Sequence, residues 1–136
     1  MAGAWRTISV QVGNHVPPQP WEIPARMRNY VDNVNARMLG ADTFELQVEA
    51  LAYADGELLH VHPFEDFNGR ATRAVLIELM GRLDLPPVEV SVERGSPAFG
   101  SYAKALAEYD NGRMPPLVEF WDARLQRGLD EFGPAL

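Results

Sequence analysis

HVHPFEDFNGRATR, residues 60–73, crowds two histidines, two adjacent carboxylates, an Asn-Gly pair and two arginines into fourteen positions. The run predicts a loop feeding a helix. Asn68 can cap that helix with its side-chain oxygen. The helix start then offers free backbone N–H groups and the positive end of its dipole, which suits phosphate. Gly69 has no Cβ and lets a ligand come close to the backbone. Arg70 and Arg73 stand three apart, so both leave one side of the first turn. Planar guanidiniums match phosphate oxygens. Asp66 is a hard carboxylate of the kind that holds Mg2+ beside phosphates. His62, four residues earlier, could take a proton from an incoming hydroxyl as a neutral imidazole. Pro63 and Phe64 fix the loop by packing. Base, metal ligand and anion cradle in this order describe a phosphoryl- or nucleotidyl-transfer site.

Each residue alone has a plainer account. An arginine pair on a helix is usually a solvated face, a single loop histidine is usually structural, and Asp-Phe-Asn-Gly alone is a turn before a helix. The ordered combination outweighs them. His60-Val61-His62, helped by Glu65 or His15, also reads as a transition-metal pair. Such pairs bind zinc on strands, whereas a loop is expected here, with no third ligand at fitting spacing.

The 136 residues fit one domain, 1–136, and 46% are apolar, enough for a core. Charged residues make up 23%, close to the soluble average, so disorder of the body is not expected. A net charge of −7 with only 12 Lys and Arg argues against a nucleic-acid partner, which would need a positive footprint. There is no cysteine, hence no disulfide or thiolate metal site. Neither a signal peptide nor an 18-residue apolar run is visible, so no membrane association is expected and the default location is the cytoplasm.

Outward from the motif, the chain reads as helices. WRTISVQV (5–12) alternates, with Ile8, Val10 and Val12 on one face, a strand signal. GNHVPPQP then turns the chain, so a small hairpin over about residues 5–20 is expected. Ile23, Met27, Tyr30, Val31, Val34 and Met38 recur at threes and fours over 23–39, and Gly40 ends the run. A second helix covers 43 to about 59 with Thr43 as N-cap, and Gly56 is a candidate break. Helices are also predicted over 71–85, 101–111 and 116–129. The last residues should fray.

The motif resembles the Fic pattern H-P-F-x-[DE]-G-N-G-R-x-x-R, read here as His62, Pro63, Phe64, Glu65, Asp66, Phe67, Asn68, Gly69, Arg70, Ala71, Thr72 and Arg73. Only Phe67 departs, standing where the family usually has Gly. A positive φ there would cost Phe about 1–2 kcal/mol. The ring would then pack against a neighbouring helix or cover the phosphates. RTISVQVGNHVPPQPWEIPARM, LDLPPVEV and YAKALAEYDNGRMPPLVEFW are similar to the family's flanking segments, so the likeness spans almost the whole chain.

The resemblance implies an all-α, Fic-type helical bundle with a small N-terminal β-hairpin flap over the active site. It implies a protein adenylyltransferase that moves AMP from ATP to a Tyr, Thr or Ser hydroxyl of a target protein. His62 would be general base and Asp66 would hold Mg2+. Asn68, Gly69 and Arg70 would bind phosphate oxygens, and Arg73 would reach the terminal phosphates. The flap, with Ile8, Val10 and Val12, would dock the target as an added strand. Doc-type kinases of the wider family carry Lys at the position of Gly69, so Gly69 favours AMP over phosphate transfer. The alternatives are transfer of another nucleotidyl or phosphoryl group, or a catalytically degenerate binding module. Many Fic proteins carry an inhibitory helix with the pattern [ST]-x-x-x-E-[GN], which this sequence lacks. Three explanations stay open: a separate antitoxin supplies it, the chain is a fragment lacking an N-terminal helix, or no such control exists. Oligomeric state is not legible.

Overall fold

The computed structural model describes residues 4–86 and 88–132. A 3-10 turn, Pro20–Glu22, leads into five helices: α1 Ile23–Leu39, α2 Phe44–Val61, α3 Asn68–Arg82, α4 Phe99–Asp110 and α5 Pro115–Phe132. The ends predicted for α1 hold, and Thr43 caps α2 by accepting from the Leu46 N–H. Helices α2 and α5 run two or three residues past their predicted ends, whereas α3 and α4 start two or three residues early and stop at Arg82 and Asp110, short of the predicted 85 and 111. The frayed tail expected at 133–136 lies outside the described residues. No helix of the described residues is long and apolar enough to cross a membrane.

Helix α2 is the axis of the bundle, and α1, α3, α4 and α5 all pack on it. Its sequence explains this: Val48, Leu51, Ala52, Ala54, Leu58 and Val61 are buried on more than one face, so it needs neighbours all round. Gly56 was the expected break, yet α2 runs through it. A Cβ there would lie 2.7 Å from Tyr109 and 2.8 Å from Leu117, so the glycine lets α4 and α5 approach closely. Asp55 is fully buried beside it and accepts from Tyr102 Oη (2.9 Å) and Trp121 Nε1 (2.9 Å). Burial pushes its carboxyl up to about 6. Trp121 is buried in the core, whereas Trp21 is 78% exposed.

The N-terminal segment is not a hairpin of regular strands. Among the described residues no strand forms, and Val12 and His15 make a single antiparallel bridge around Gly13-Asn14. Gly13 sits at φ +58°, the left-handed conformation such a two-residue turn requires. The alternation of Ile8, Val10 and Val12 finds no partner strand to extend it, and Ile8 and Val12 stay about half exposed.

Candidate functional site

Between α2 and α3 the chain makes a six-residue loop, residues 62–67, closed at each end by a non-glycine residue with positive φ. His62 (φ 52°) ends α2 in the left-handed conformation, its N–H returning to the Leu58 carbonyl. Phe67 (φ 65°) begins α3. The strain anticipated at Phe67 is therefore present. Two devices hold the loop in this shape. Asn68 Oδ1 accepts from the Phe64 N–H (3.0 Å) and its Nδ2 donates to the Phe64 carbonyl (2.9 Å). Thr72 Oγ1 bonds back to the Asn68 carbonyl at 2.8 Å. The expected cap is thus corrected: Phe67 occupies the cap position, and the buried Asn68 amide clamps the loop because both its ends are taken by the backbone of one residue, Phe64.

The second device is Arg6, which sequence reasoning passed over. It is 2% exposed. Its Nε donates to the His62 carbonyl (2.6 Å), its Nη1 to Ile8 (2.8 Å), and its Nη2 to Pro18 (2.6 Å) and Val61 (3.1 Å). Its own N–H reaches the Pro63 carbonyl at 2.8 Å. No carboxylate pairs with it among the described residues. One guanidinium therefore bolts the N-terminal segment to the end of α2. Only its proximity to a Trp and the lack of other N-terminal cations could have flagged it in the sequence. Trp5 supports the same corner by packing on Phe64, ring centroids 5.5 Å apart.

With the loop so held, the first acceptor of the α3 ladder is the Phe67 carbonyl, bonded by Ala71. The N–H groups of Asn68, Gly69 and Arg70 have no acceptor among the described residues, leaving three aligned donors at the positive end of the helix dipole. A Cβ on Gly69 would come 3.0 Å from Arg73 Nη1, so the glycine leaves Arg73 room over this helix start. Arg70 lies over the Phe67 ring, 4.8 Å from its centroid. Phe67 does not pack against a neighbouring helix: it stands 58% exposed at the lip of the cleft it helps to line, as a platform for that guanidinium. Asp66 is exposed, with Oδ1 on the Phe67 N–H (2.8 Å) and Oδ2 free to meet a hard cation.

These groups share one cleft of about 830 Å3, in the usual range for small-molecule sites. His62, Asp66, Asn68, Gly69, Arg70 and Arg73 all line it. Pro63 is buried behind the loop, and Phe64 lies half-buried against Trp5. Val12 to His15 form one rim, and Ala103, Leu106 and Ala107 of α4 form a wall. Ile8 and Val10 are not among the lining residues. Arg94, from the loop before α4, adds a third cation that no periodic signal announces. Burial and the nearby Arg6 charge hold the His62 imidazole below its ordinary range, and neither ring nitrogen has a partner among the described residues. A neutral imidazole, an exposed carboxylate and a row of anion donors in one cleft can take a proton from a nucleophile and hold a phosphate-bearing partner beside it.

The paired-histidine reading is corrected. His60 belongs to the last turn of α2, not to a loop, and His62 turns away beyond it. His60 meets His15 and Asp110 instead, with ligand atoms of all three within 4.8 Å of one another.

The Fic/DOC family model matches residues 1–80. Over 128 residues the chain is 32% identical to protein adenylyltransferase Fic of Aedes aegypti and 31% identical to that of Drosophila willistoni. Each match covers 94% of this chain but 24% of the relative, so the chain spans about a quarter of their length. A Fic domain containing signaling protein from Bacteroides thetaiotaomicron superposes with a TM-score of 0.74 at 25% identity, over 94% of this chain and 53% of that one. The family model covers more than half of the chain and the motif lies inside it, and the bundle is the one seen in a solved member: the chain belongs to the Fic/DOC family.

Proposed function

We propose that this chain is a protein adenylyltransferase that moves AMP from ATP to a hydroxyl side chain of a target protein. The observation that carries the reading is the common cleft: an unpartnered half-buried imidazole faces the same space as three free N–H groups and two arginines at one helix start. Relatives named protein adenylyltransferase at 31–32% identity support it. His62 takes the proton of the target hydroxyl as its oxygen bonds to the α-phosphorus. The bond between that phosphorus and the bridging oxygen breaks, and pyrophosphate leaves. The N–H groups of Asn68, Gly69 and Arg70 hold the α-phosphate oxygens, and Arg70 and Arg73 hold the phosphates beyond. Asn68 acts through its backbone, since its amide is committed to Phe64.

Asp66 suits Mg2+: its free oxygen lies beside the phosphate cradle, and oxygen donors on phosphates would complete a hard shell. Bound there, the ion would neutralise phosphate charge and orient the leaving pyrophosphate. The Val12–His15 turn at the rim docks the target segment, with the exposed Ile8 and Val12 as its apolar contacts. An inhibitory helix supplied by another chain would compete for Arg73.

ATP labelled at the α-phosphate, in parallel with ATP labelled at the γ-phosphate, tests the reading with this chain and a protein extract. Label transferred to protein from the α position alone supports it. Transfer from the γ position alone makes the chain a kinase, and transfer from neither makes it a binding module.

A further inference from the structure

Outside the phosphate cradle, three side chains from distant parts of the chain converge on one point. His15 closes the rim turn, His60 lies in the last turn of α2, and Asp110 ends α4. His60 Nδ1 lies 2.9 Å from Asp110 Oδ1, and His15 Nδ1 lies 3.7 Å from Asp110 Oδ2. The side chains are 15–24% exposed, so the cluster is shielded yet reachable from solvent.

The tautomer of His15 is set by its other nitrogen. Nε2 is 2.8 Å from the His60 carbonyl, which only accepts, so Nε2 carries the proton. In the neutral ring, Nδ1 is then a bare lone pair turned toward a carboxylate oxygen. A cation between them, proton or metal, relieves that opposition. An N–H to backbone carbonyl bond is also the usual second contact of a metal-ligating histidine, because it fixes the ring and raises its basicity. The surroundings favour positive charge further: His60 lies in the last turn of α2 and Asp110 in the last turn of α4, so two negative dipole ends converge there.

We propose that His15 Nδ1, His60 Nδ1 and the Asp110 carboxylate form a binding site for a borderline transition-metal dication of the Zn2+ class. Two ligands about 2.1 Å from a tetrahedral zinc are about 3.4 Å apart. The 2.9 and 3.7 Å separations here bracket that value. Neutral imidazoles with one carboxylate suit zinc and its neighbours, whereas Mg2+ prefers oxygen ligands. Three protein ligands leave a fourth position for water. His15 and Asp110 line the cleft, so the ion ties the target-docking rim to the ends of α2 and α4. The metal site goes beyond the transferase reading and does not depend on it, since neither His62 nor Asp66 is a ligand.

The test is a calorimetric titration of the chelator-treated chain with Zn2+ in excess Mg2+, which occupies any oxygen-only site. The expected result is one equivalent bound per chain. His15→Ala, His60→Gln and Asp110→Asn should each weaken it more than about tenfold, while His62→Ala binds as wild type. Far-ultraviolet circular dichroism verifies that each variant keeps its helices. His15 is on a surface turn, so His15→Ala gives a folded test even if α2 variants fail. Visible d–d bands of bound Co2+, lost in His15→Ala, would support a low-coordinate nitrogen site. The absence of zinc heat in the wild type, unchanged binding in folded His15→Ala, or equal loss in His62→Ala would overturn the site.

Discussion

Replacing Arg6 by Met removes a buried cation while keeping an apolar stem of similar length. Four carbonyls, those of Ile8, Pro18, Val61 and His62, lose their donor at once. Charge-assisted bonds are worth about 1.5 kcal/mol each at the low end, or about 6 kcal/mol together. Against this stands the cost of keeping a guanidinium buried with no carboxylate, several kcal/mol. The difference is a net loss of about 2–3 kcal/mol. The functional effect is separate from the stability effect. Without the bond to its carbonyl, His62 is free to leave its left-handed conformation, and the imidazole leaves the cleft wall. The turnover number should fall by about tenfold, equivalent to about 1.4 kcal/mol, with little change in KM for ATP, because the phosphate donors sit on α3. Arg6→Lys keeps the charge but reaches fewer carbonyls, and should fall between the two. Urea unfolding gives the first number and steady-state AMP transfer the second. If Arg6→Met loses stability yet keeps its turnover number, Arg6 does not position His62. If it loses neither, the bolt itself is a fiction.

Phe67→Gly relieves about 1–2 kcal/mol of left-handed strain, but loses the Arg70 contact, about 0.5–1 kcal/mol, and gains unfolded-state freedom of similar cost. Thermal unfolding should therefore move little, while ATP affinity rises as Arg70 leaves the ring; a large drop in melting temperature would refute the balance. Gly56→Ala drives a methyl into Tyr109 and Leu117. Overpacking of about 1–3 kcal/mol outweighs a helix-propensity gain of up to about 1 kcal/mol, so melting should fall by about 4 °C; a rise would show that α4 and α5 yield. Asp55 binds its proton more tightly folded than unfolded, with burial and the hydrogen bonds from Tyr102 and Trp121 setting the balance, and Tyr30 across α1 also facing it. Its contribution is therefore present below about pH 3.8 and lost as pH rises to about 6, worth about 3 kcal/mol across the window. Asp55→Asn should flatten that slope in a pH series of urea unfolding; an unchanged slope would assign it to other groups.

The helices were legible because their signals are local. Ile23 to Met38 recur at helical spacing, Gly40 ends the run, and Thr43 is a cap by residue type. The motif was legible because its groups are adjacent in sequence, and the cleft does bring His62, Asp66, Asn68, Gly69, Arg70 and Arg73 together. What stayed hidden depends on contacts between distant residues. Alternation at Ile8, Val10 and Val12 marks a strand only if another strand pairs with it, and none does among the described residues. Gly56 reads as a break from the helix alone and as a packing notch only once Tyr109 is beside it. Asn68 has the chemistry of a cap, but the turn at Phe67 brings its amide to Phe64 first. Arg6 bonds His62 from 56 positions away, and Arg94 and Asp110 lie 21 and 37 positions beyond Arg73, with no periodicity to announce them.

In the proposed reaction the α-phosphate rests on the N–H groups of Asn68, Gly69 and Arg70 with His62 beside it. A crystal structure with Mg2+ and a non-hydrolysable ATP analogue tests it most directly. The α-phosphate oxygens should lie within hydrogen-bonding reach of those three donors, the metal on Asp66, and the terminal phosphates toward Arg73. A nucleotide bound with its γ-phosphate on those donors, or seated elsewhere on the bundle, would contradict it.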